Sequence, residues 1–232
     1  MIKAVFFDLD STLIDFIKMK RIASEQAASA MVDSGLDMDK QVASQALFKM
    51  YLEVGIESEV VFSEFLEKFH GECEAKMLSA AINRYVAAKS AFLDPYPRVI
   101  PTIIQLIKWG IKLAIVTDAP RLKAWQRLNA MHLSHFFDVV VAYDDTIERK
   151  PHRAPFENAL KKLNLKPEEC IMVGDWIDGD INGAKKVGMK TCFARYGWQK
   201  ALGGDPDKSG ADYVIDKFDD ILNIIQKENK TS

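Results

Sequence analysis

The sequence has few cysteines and histidines, the residues of disulfide frameworks and zinc sites, and it lacks the long apolar runs of membrane-spanning proteins. It contains 3 cysteines and 4 histidines in 232 residues, with no CxxC pair and no spacing typical of a disulfide framework. No apolar stretch approaches the ~20 residues that a membrane-spanning helix needs. The apolar run before Asp8 is too short for the core of a signal peptide. We therefore expect a cytoplasmic protein with reduced cysteines.

A strong excess of one charge is also lacking. The 31 basic and 33 acidic residues give a formal net charge of −2. A nearly neutral chain has no long-range field that recruits nucleic acid or an anionic membrane, so we expect neither as a partner. A phosphorylated ligand would then need local positive groups or a metal ion.

Short apolar runs rich in β-branched and aromatic residues predict the strands of a buried parallel sheet. They are Ala4–Phe7, Lys112–Thr117, Val139–Ala142, Ile171–Gly174 and Thr191–Ala194. Helical stripes lie between the later runs. Two of these stripes are Ile100, Ile103, Ile104 and Ile107, and Leu122, Trp125 and Leu128. This alternation predicts an α/β fold with a Rossmann-like, doubly wound parallel sheet.

The stretch between the first two predicted strands has only helical periodicity. Four amphipathic stripes, with breaks near Gly35, Gly55 and Gly71, predict an all-helical four-helix bundle inserted into the α/β core. We therefore predict a Rossmann-like catalytic core of residues 1–15 and 93–232 and a helical cap domain of residues 16–92.

Two polar segments have a simple interpretation. Lys18, Lys20 and Arg21 lie at the start of the helical insertion and could face the distal end of a substrate, but a solvated helix face is the preferred reading. The chain from Lys227 onward is polar and is expected to fray.

Acidic, hydroxyl and lysine side chains follow the predicted strands. Because ligands of open α/β sheets bind at the carboxyl ends of the strands, we expect these side chains to converge on one rim. In chain order they are Asp8 and Asp10, Thr117 and Asp118, Lys150, and Asp175 with Asp178 and Asp180.

This set of residues is suited to phosphoryl chemistry. Clustered carboxylate oxygens suit Mg²⁺; Asp8 and Asp175 could bind the ion, and Asp180 could bind it or orient its ligands. The Asp8 carboxylate could attack phosphorus and form an acyl phosphate. Asp10 could protonate the leaving oxygen and then activate water.

The remaining strand-end residues have both a catalytic and a structural interpretation. Thr117 could donate a hydrogen bond to a phosphate oxygen, and Lys150 could supply positive charge to the nucleophile and the phosphoryl group. Alternatively, Thr117 and Asp118 could cap the following helix, and Lys150 could be a surface lysine. We expect Asp178 to be solvated or supporting and His152 to be a polar loop residue.

The motifs together resemble those of the haloacid dehalogenase superfamily. Asp8-Leu9-Asp10-Ser11-Thr12-Leu13 resembles its first signature, Thr117 the second, Lys150 the third and Gly174-Asp175-Trp176-Ile177-Asp178-Gly179-Asp180 the fourth. Their order and spacing are similar to those of members with a helical cap between the first two motifs. Asp118 departs from the Asn common after the second motif, and Trp176 from the Ser common in the fourth.

The resemblance implies a role for each matching residue. Asp8 would be the nucleophile and a metal ligand. Asp10 would be the general acid/base, with its backbone carbonyl on Mg²⁺. Asp175 would be a metal ligand and Asp180 a supporting acid. The backbone N–H groups of Leu9 and Asp118 would help to bind the phosphate.

We therefore predict a Mg²⁺-dependent phosphatase of small phosphorylated metabolites. Triose phosphates, phosphoglycolate, sugar phosphates and nucleoside monophosphates are open as substrates. A sugar phosphomutase of the same superfamily, a 2-haloacid dehalogenase and a non-catalytic metabolite-binding protein are the alternatives. Asp10 argues against the dehalogenase, because dehalogenases of this superfamily lack the second aspartate of the first motif.

Overall fold

A computed structural model describes residues 1–200 and 203–230 of the chain. The chain divides into two compact units. The first, called the sheet unit, comprises the described residues of Met1–Asp15 and Asp94–Ser232. The second, called the helical unit, comprises Phe16–Leu93.

The sheet unit contains a six-stranded sheet in which neighbouring strands are all parallel, in the order β3-β2-β1-β4-β5-β6. Its strands are β1 Ala4–Phe7, β2 Lys112–Val116, β3 Val139–Val141, β4 Cys170–Gly174, β5 Lys190–Ala194 and β6 Tyr213–Ile215. This architecture confirms the predicted Rossmann-like α/β fold. The sequence analysis missed β6, because this edge strand has only three residues and one of them, Val214, is exposed.

Helices cover both faces of the sheet. In the sheet unit they are α5 Val99–Lys108, α6 Arg121–Ala130, α7 Tyr143–Thr146, α8 Arg153–Leu163, α9 Asn182–Val187 and α10 Ile221–Lys230. On one face, Phe6 of β1 packs with Phe156 of α8 and Ala184 of α9. On the other face, the rings of Phe7 and Phe218 lie 5.4 Å apart. Successive residues of a strand point to opposite faces. Because both faces are covered by helices, every residue of a central strand is buried, and its sequence is a continuous apolar run.

Three details of the predicted helices were wrong. In α5 only Ile103 of the predicted stripe is buried, while the other three isoleucines are 37–43% exposed. In α6 Leu128 of the predicted stripe is buried but Leu122 is 70% exposed, and the inward face includes Arg127 as well as apolar residues. The chain from Lys227, expected to fray, is helical as far as Lys230, and the Asn229 amide exchanges hydrogen bonds with the backbone of Ile2, at 2.6 and 3.0 Å; residues 231–232 lie outside the described residues.

The helical unit consists of four helices around one apolar core. They are α1 Phe16–Asp33, α2 Lys40–Val54, α3 Val61–His70 and α4 Ala75–Ala91. Leu47 and Phe65 lie at the centre of this core. Gly71 takes a left-handed conformation at the end of α3, which glycine adopts at little cost.

Lys20 is not on a solvated face as expected. It is buried in the helical unit, where its Nζ donates a hydrogen bond of 2.6 Å to the Tyr85 hydroxyl and lies 3.8 Å from the centre of the Tyr51 ring. The hydroxyl and the aromatic face stabilise the buried ammonium. Lys18 and Arg21 are exposed, as expected. No helix in the described ranges combines the length and the apolar character that crossing a lipid bilayer requires.

Candidate active site

The site lies where the strand order reverses. The chain passes from β3 at one edge to β4 on the opposite side of β1, and such a switch point forms a crevice at the carboxyl ends of the strands. Asp8 directly follows β1, and its backbone N–H donates to the Val173 carbonyl of β4 at 2.9 Å. Asp175 directly follows β4. Adjacent parallel strands therefore bring Asp8 and Asp175 together from positions 167 residues apart.

Three carboxylates form a buried cluster at this point. One oxygen atom from each of Asp8, Asp175 and Asp180 lies within 4.8 Å of the other two, and all three residues are buried. Asp180 comes from a π-helical turn, Ile177–Ile181, a local conformation frequent at functional sites. A Cβ atom on Gly174 would lie 2.2 Å from Asp180 Oδ2. Only glycine at this position lets the Asp180 carboxylate reach the cluster.

Lys150 joins two of the carboxylates. Its Nζ donates hydrogen bonds to Asp8 Oδ1 at 2.6 Å and to Asp180 Oδ1 at 2.7 Å, and the side chain is buried. It is therefore not a surface lysine. Its backbone N–H donates to Asp118 Oδ1 at 3.0 Å. The unusual Asp118 thus fixes the loop that carries Lys150 to the loop that follows β2.

The ionisation of these groups reflects their burial. Burial raises the pKa of all three carboxyls; that of Asp180 rises to about 7, although Lys150 opposes the rise. The pKa of Asp175 lies well above its usual value through burial and then through the negative charges of Asp8 and Asp180. Burial alone would lower the pKa of Lys150, but Asp180 and Asp8 raise it well above its usual value. The lysine therefore stays protonated.

The loop after Asp8 is held by contacts that the sequence analysis missed. Thr12 Oγ1 donates to Asp175 Oδ1 at 3.0 Å, and the Tyr196 hydroxyl donates to the Thr12 carbonyl at 2.8 Å. Ser11 has a left-handed backbone, with φ of 59°. A Cβ atom on Gly197 would lie 1.7 Å from the Ser11 carbonyl oxygen. The position of Thr12 inside the first motif was the available signal for its role, whereas the contacts of Tyr196 and Gly197 depend on the fold.

The predicted phosphate-binding residues lie at the same rim. The buried Thr117 follows β2, and its backbone N–H donates to the Val141 carbonyl at 3.0 Å. Its Oγ1 accepts from the Ala119 N–H at 3.2 Å. The suggested capping role is wrong: α6 begins after Pro120 without a side-chain cap, and Asp118 accepts from Lys150 instead. Leu9 directly follows Asp8, and its backbone N–H opposes the rise in the pKa of the Asp8 carboxyl. The roles of Thr117, Leu9 and Asp118 in binding phosphate stay predictions.

Asp10 differs from the other acids of the site. Its side chain is 26% exposed, and its Oδ1 lies 3.1 Å from Nε of Arg127, a residue of α6 that is 1% exposed. The sequence analysis missed Arg127. The signal that could have identified it is its position three residues after Ala124 and one before Leu128, both of which are buried.

The other candidates lie outside the cluster. Asp178 is exposed and accepts a hydrogen bond of 3.0 Å from the Asn182 side chain. His152 is also exposed, and its Nδ1 accepts from the Ala154 N–H at 3.2 Å at the start of α8.

The fold and the site together define the class of protein. A parallel α/β sheet with a buried carboxylate–lysine cluster at its switch point is the core of an α/β enzyme. The chain belongs to the haloacid dehalogenase-like hydrolases, whose family model matches residues 2–188.

Known proteins support this membership. The chain is 36% identical to glyceraldehyde 3-phosphate phosphatase of Pyrococcus furiosus over 98% of its own length and 95% of that protein. It is 40% identical to pyrophosphatase PpaX of Halalkalibacterium halodurans over 57% of its length and 60% of that protein. A putative beta-phosphoglucomutase from Thermotoga maritima has a similar fold, with a TM-score of 0.74 at 22% identity over 97% of this chain and 99% of that one. The predicted family and the predicted enzyme class, a phosphatase, are confirmed.

Proposed function

We propose that the protein hydrolyses small phosphomonoesters in a Mg²⁺-dependent reaction through an aspartyl-phosphate on Asp8. The observation that carries the proposal is the buried cluster of Asp8, Asp175 and Asp180 with Lys150 at the switch point. Triose phosphates are the first substrates to test, because a relative that matches nearly the whole chain is named glyceraldehyde 3-phosphate phosphatase.

The cluster fits a divalent cation. With all three carboxylates ionised and the lysine protonated, the buried cluster would carry two negative charges. Burial, and after it the repulsion among the acids, raises the carboxyl pKa values. Oxygen ligands and a charge of this size suit Mg²⁺. Asp8 and Asp175 would hold the ion, together with the Asp10 backbone carbonyl, and Asp180 would support them or bind it. The ion would supply positive charge against the repulsion between the nucleophile and the phosphate.

The residues of the chain would perform the bond changes. The Asp8 carboxylate attacks phosphorus, a carboxylate O–P bond forms, and the P–O bond to the leaving alcohol breaks. The Asp10 carboxyl gives its proton to the leaving oxygen. The Asp10 carboxylate then takes a proton from water, the water oxygen attacks phosphorus, and the bond from phosphorus to the Asp8 carboxylate breaks, which releases inorganic phosphate and restores the Asp8 carboxylate. Lys150, Thr117 and the N–H groups of Leu9 and Asp118 offset the negative charge of the phosphoryl group.

The proposal keeps the two-domain organisation predicted from the sequence, with residues 16–92 as a cap that sorts substrates. Its support is the division of the chain after Asp15 and after Leu93. If residues 16–92 sort substrates, exchanging them for the corresponding segment of a relative should change the order of substrate preference, while the reaction should stay dependent on Asp8. An unchanged order would argue against it. The predicted cytoplasmic location is a further part of the proposal.

The test measures phosphate release from p-nitrophenyl phosphate and from glyceraldehyde 3-phosphate, with Mg²⁺ and with excess EDTA. We expect turnover that needs Mg²⁺ and falls by about a thousandfold or more in Asp8→Asn. Asp178→Asn is the matched control, because Asp178 belongs to the same set of acids but is exposed and outside the cluster; it should retain activity. Activity that survives Asp8→Asn would refute the mechanism.

A sugar phosphomutase is the second candidate, because it would use the same groups. It would convert one sugar phosphate into an isomer without net release of inorganic phosphate. Product analysis with a hexose phosphate separates the two reactions. Halide release from a 2-haloacid, or binding of metabolites without turnover, would identify the remaining alternatives.

A further inference from the structure

Arg127 is a buried arginine whose charge is directed at the proposed acid/base. Its side chain is among the largest fully buried ones in the described part of the chain. An arginine stays charged in proteins, and burying its guanidinium is costly unless an anion lies close to it. The Asp10 carboxylate, 3.1 Å from Nε, provides that anion.

The contact joins the loop after β1 to helix α6. α6 begins four residues after Thr117, so the helix that follows the second motif returns Arg127 to the first motif. The Asp10 backbone forms a β-bridge with Ile14, which fixes the main chain below the carboxyl. With its main chain fixed, Asp10 can still rotate its side chain. The guanidinium of Arg127 beside Oδ1 restricts this rotation.

We propose that Arg127 is a positioning residue that holds the Asp10 carboxyl in the orientation for proton transfer; this inference rests on the proposed function. The guanidinium charge lies 3.1 Å from Oδ1 as an ion pair, and on this proposal the transferred proton is carried by Oδ2. General acid catalysis requires the carboxyl to lie within hydrogen-bond distance of the leaving oxygen, so an Asp10 that rotates freely would be correctly placed only part of the time.

The experiment uses the leaving group to separate positioning from folding. An alkoxide needs a proton as the P–O bond breaks, whereas 2,4-dinitrophenolate leaves without one. We expect Arg127→Met to lower kcat/KM for glycerol phosphate by about a hundredfold and for 2,4-dinitrophenyl phosphate by less than about threefold. Arg127→Lys should recover part of the loss, because it keeps the charge but not the planar fork. Gln126→Met, an exposed change on the same helix, should leave both substrates unaffected.

A double-mutant cycle tests whether Arg127 acts through Asp10. In an Asp10→Asn background, Arg127→Met should cost less than about threefold in kcat/KM for glycerol phosphate, because the two residues act as one unit. An equal loss for both substrates, or the same loss with and without Asp10, would reduce Arg127 to a structural residue and overturn the proposal. Unchanged activity of Arg127→Met on both substrates would also overturn the proposal. If Arg127→Met does not fold, the ratio between the two substrates in Arg127→Lys decides: a larger loss for the alkyl phosphate supports the proposal, and equal losses overturn it.

Failure of the proposed function would be seen separately. It would show in the wild-type protein, as turnover that does not need Mg²⁺ or Asp8. Failure of the inference would show only in the Arg127 variants of a protein whose turnover needs both.

Discussion

Without a metal ion, the folded protein should be more stable at pH 6 than at pH 8. The reason is the buried acid cluster. A carboxyl whose pKa is raised on folding binds protons in the folded state at pH values where the unfolded chain has lost them. The free energy of unfolding then falls as the pH rises from the unfolded to the folded pKa. For Asp180 these values are 3.8 and about 7.

The size of the effect follows from these values. A single carboxyl with this shift makes the free energy of unfolding about 1.4 kcal/mol higher at pH 6 than at pH 8. Asp175, whose pKa is also raised by burial and by its acidic neighbours, adds to this difference. We therefore expect a total above about 1.4 kcal/mol, measured by urea unfolding in EDTA at the two pH values.

Two comparisons isolate the cluster. Asp180→Asn removes one titrating group and should reduce the difference between the pH values by about 1.4 kcal/mol. Saturating Mg²⁺ should stabilise the protein more at pH 8 than at pH 6, because the ion binds ionised carboxylates in the folded state. A metal-free protein that is equally or more stable at pH 8, or an Asp180→Asn variant with the wild-type pH dependence, would refute the reasoning.

Two further predictions concern the contacts that hold the acids. Lys150→Met should lower the free energy of unfolding of the metal-free protein by about 3–5 kcal/mol in urea, because Asp8 and Asp180 lose their buried partner. The exposed Lys161→Met should change it by less than about 0.5 kcal/mol, and an equal effect of the two would contradict the assigned role. Thr12→Val should weaken Mg²⁺ binding about 10–100-fold, because Asp175 loses its hydrogen bond. Mg²⁺ titration of phosphate release measures this, and an affinity equal to that of wild type would contradict it.

The sequence predicted the fold and the acids of the site for one physical reason. Buried parallel strands are short apolar runs, and the residue after each run must lie at the carboxyl edge of the sheet. The position of Asp8 after β1 and of Asp175 after β4 follows from that rule alone. The five predicted strands agree with the structure to within one residue at each end.

The contacts among these residues could not be predicted in the same way. Periodicity of apolar residues detects apolar faces only, so it cannot place a buried arginine such as Arg127 on the inward face of α6. The hydrogen bond from the Lys150 backbone to Asp118 joins residues 32 positions apart, and nothing in the local sequence of either residue indicates it. Lys20 was misplaced for the same reason, because Tyr85 and Tyr51 lie on other helices.

The two departures from the usual motifs change the support of the site and leave its charged groups in place. Asp118 accepts the Lys150 backbone N–H, so the acid at this position fixes a loop. Trp176 is accommodated because a glycine lies beneath its ring: a Cβ atom on Gly179 would lie 2.0 Å from the indole. The backbone N–H of Trp176 still donates to Asp180 Oδ2 at 3.0 Å. Because that bond is made by the main chain, a bulky side chain at this position is compatible with the same acid cluster. The two departures therefore alter the support of the site and leave its buried carboxylates and Lys150 in place.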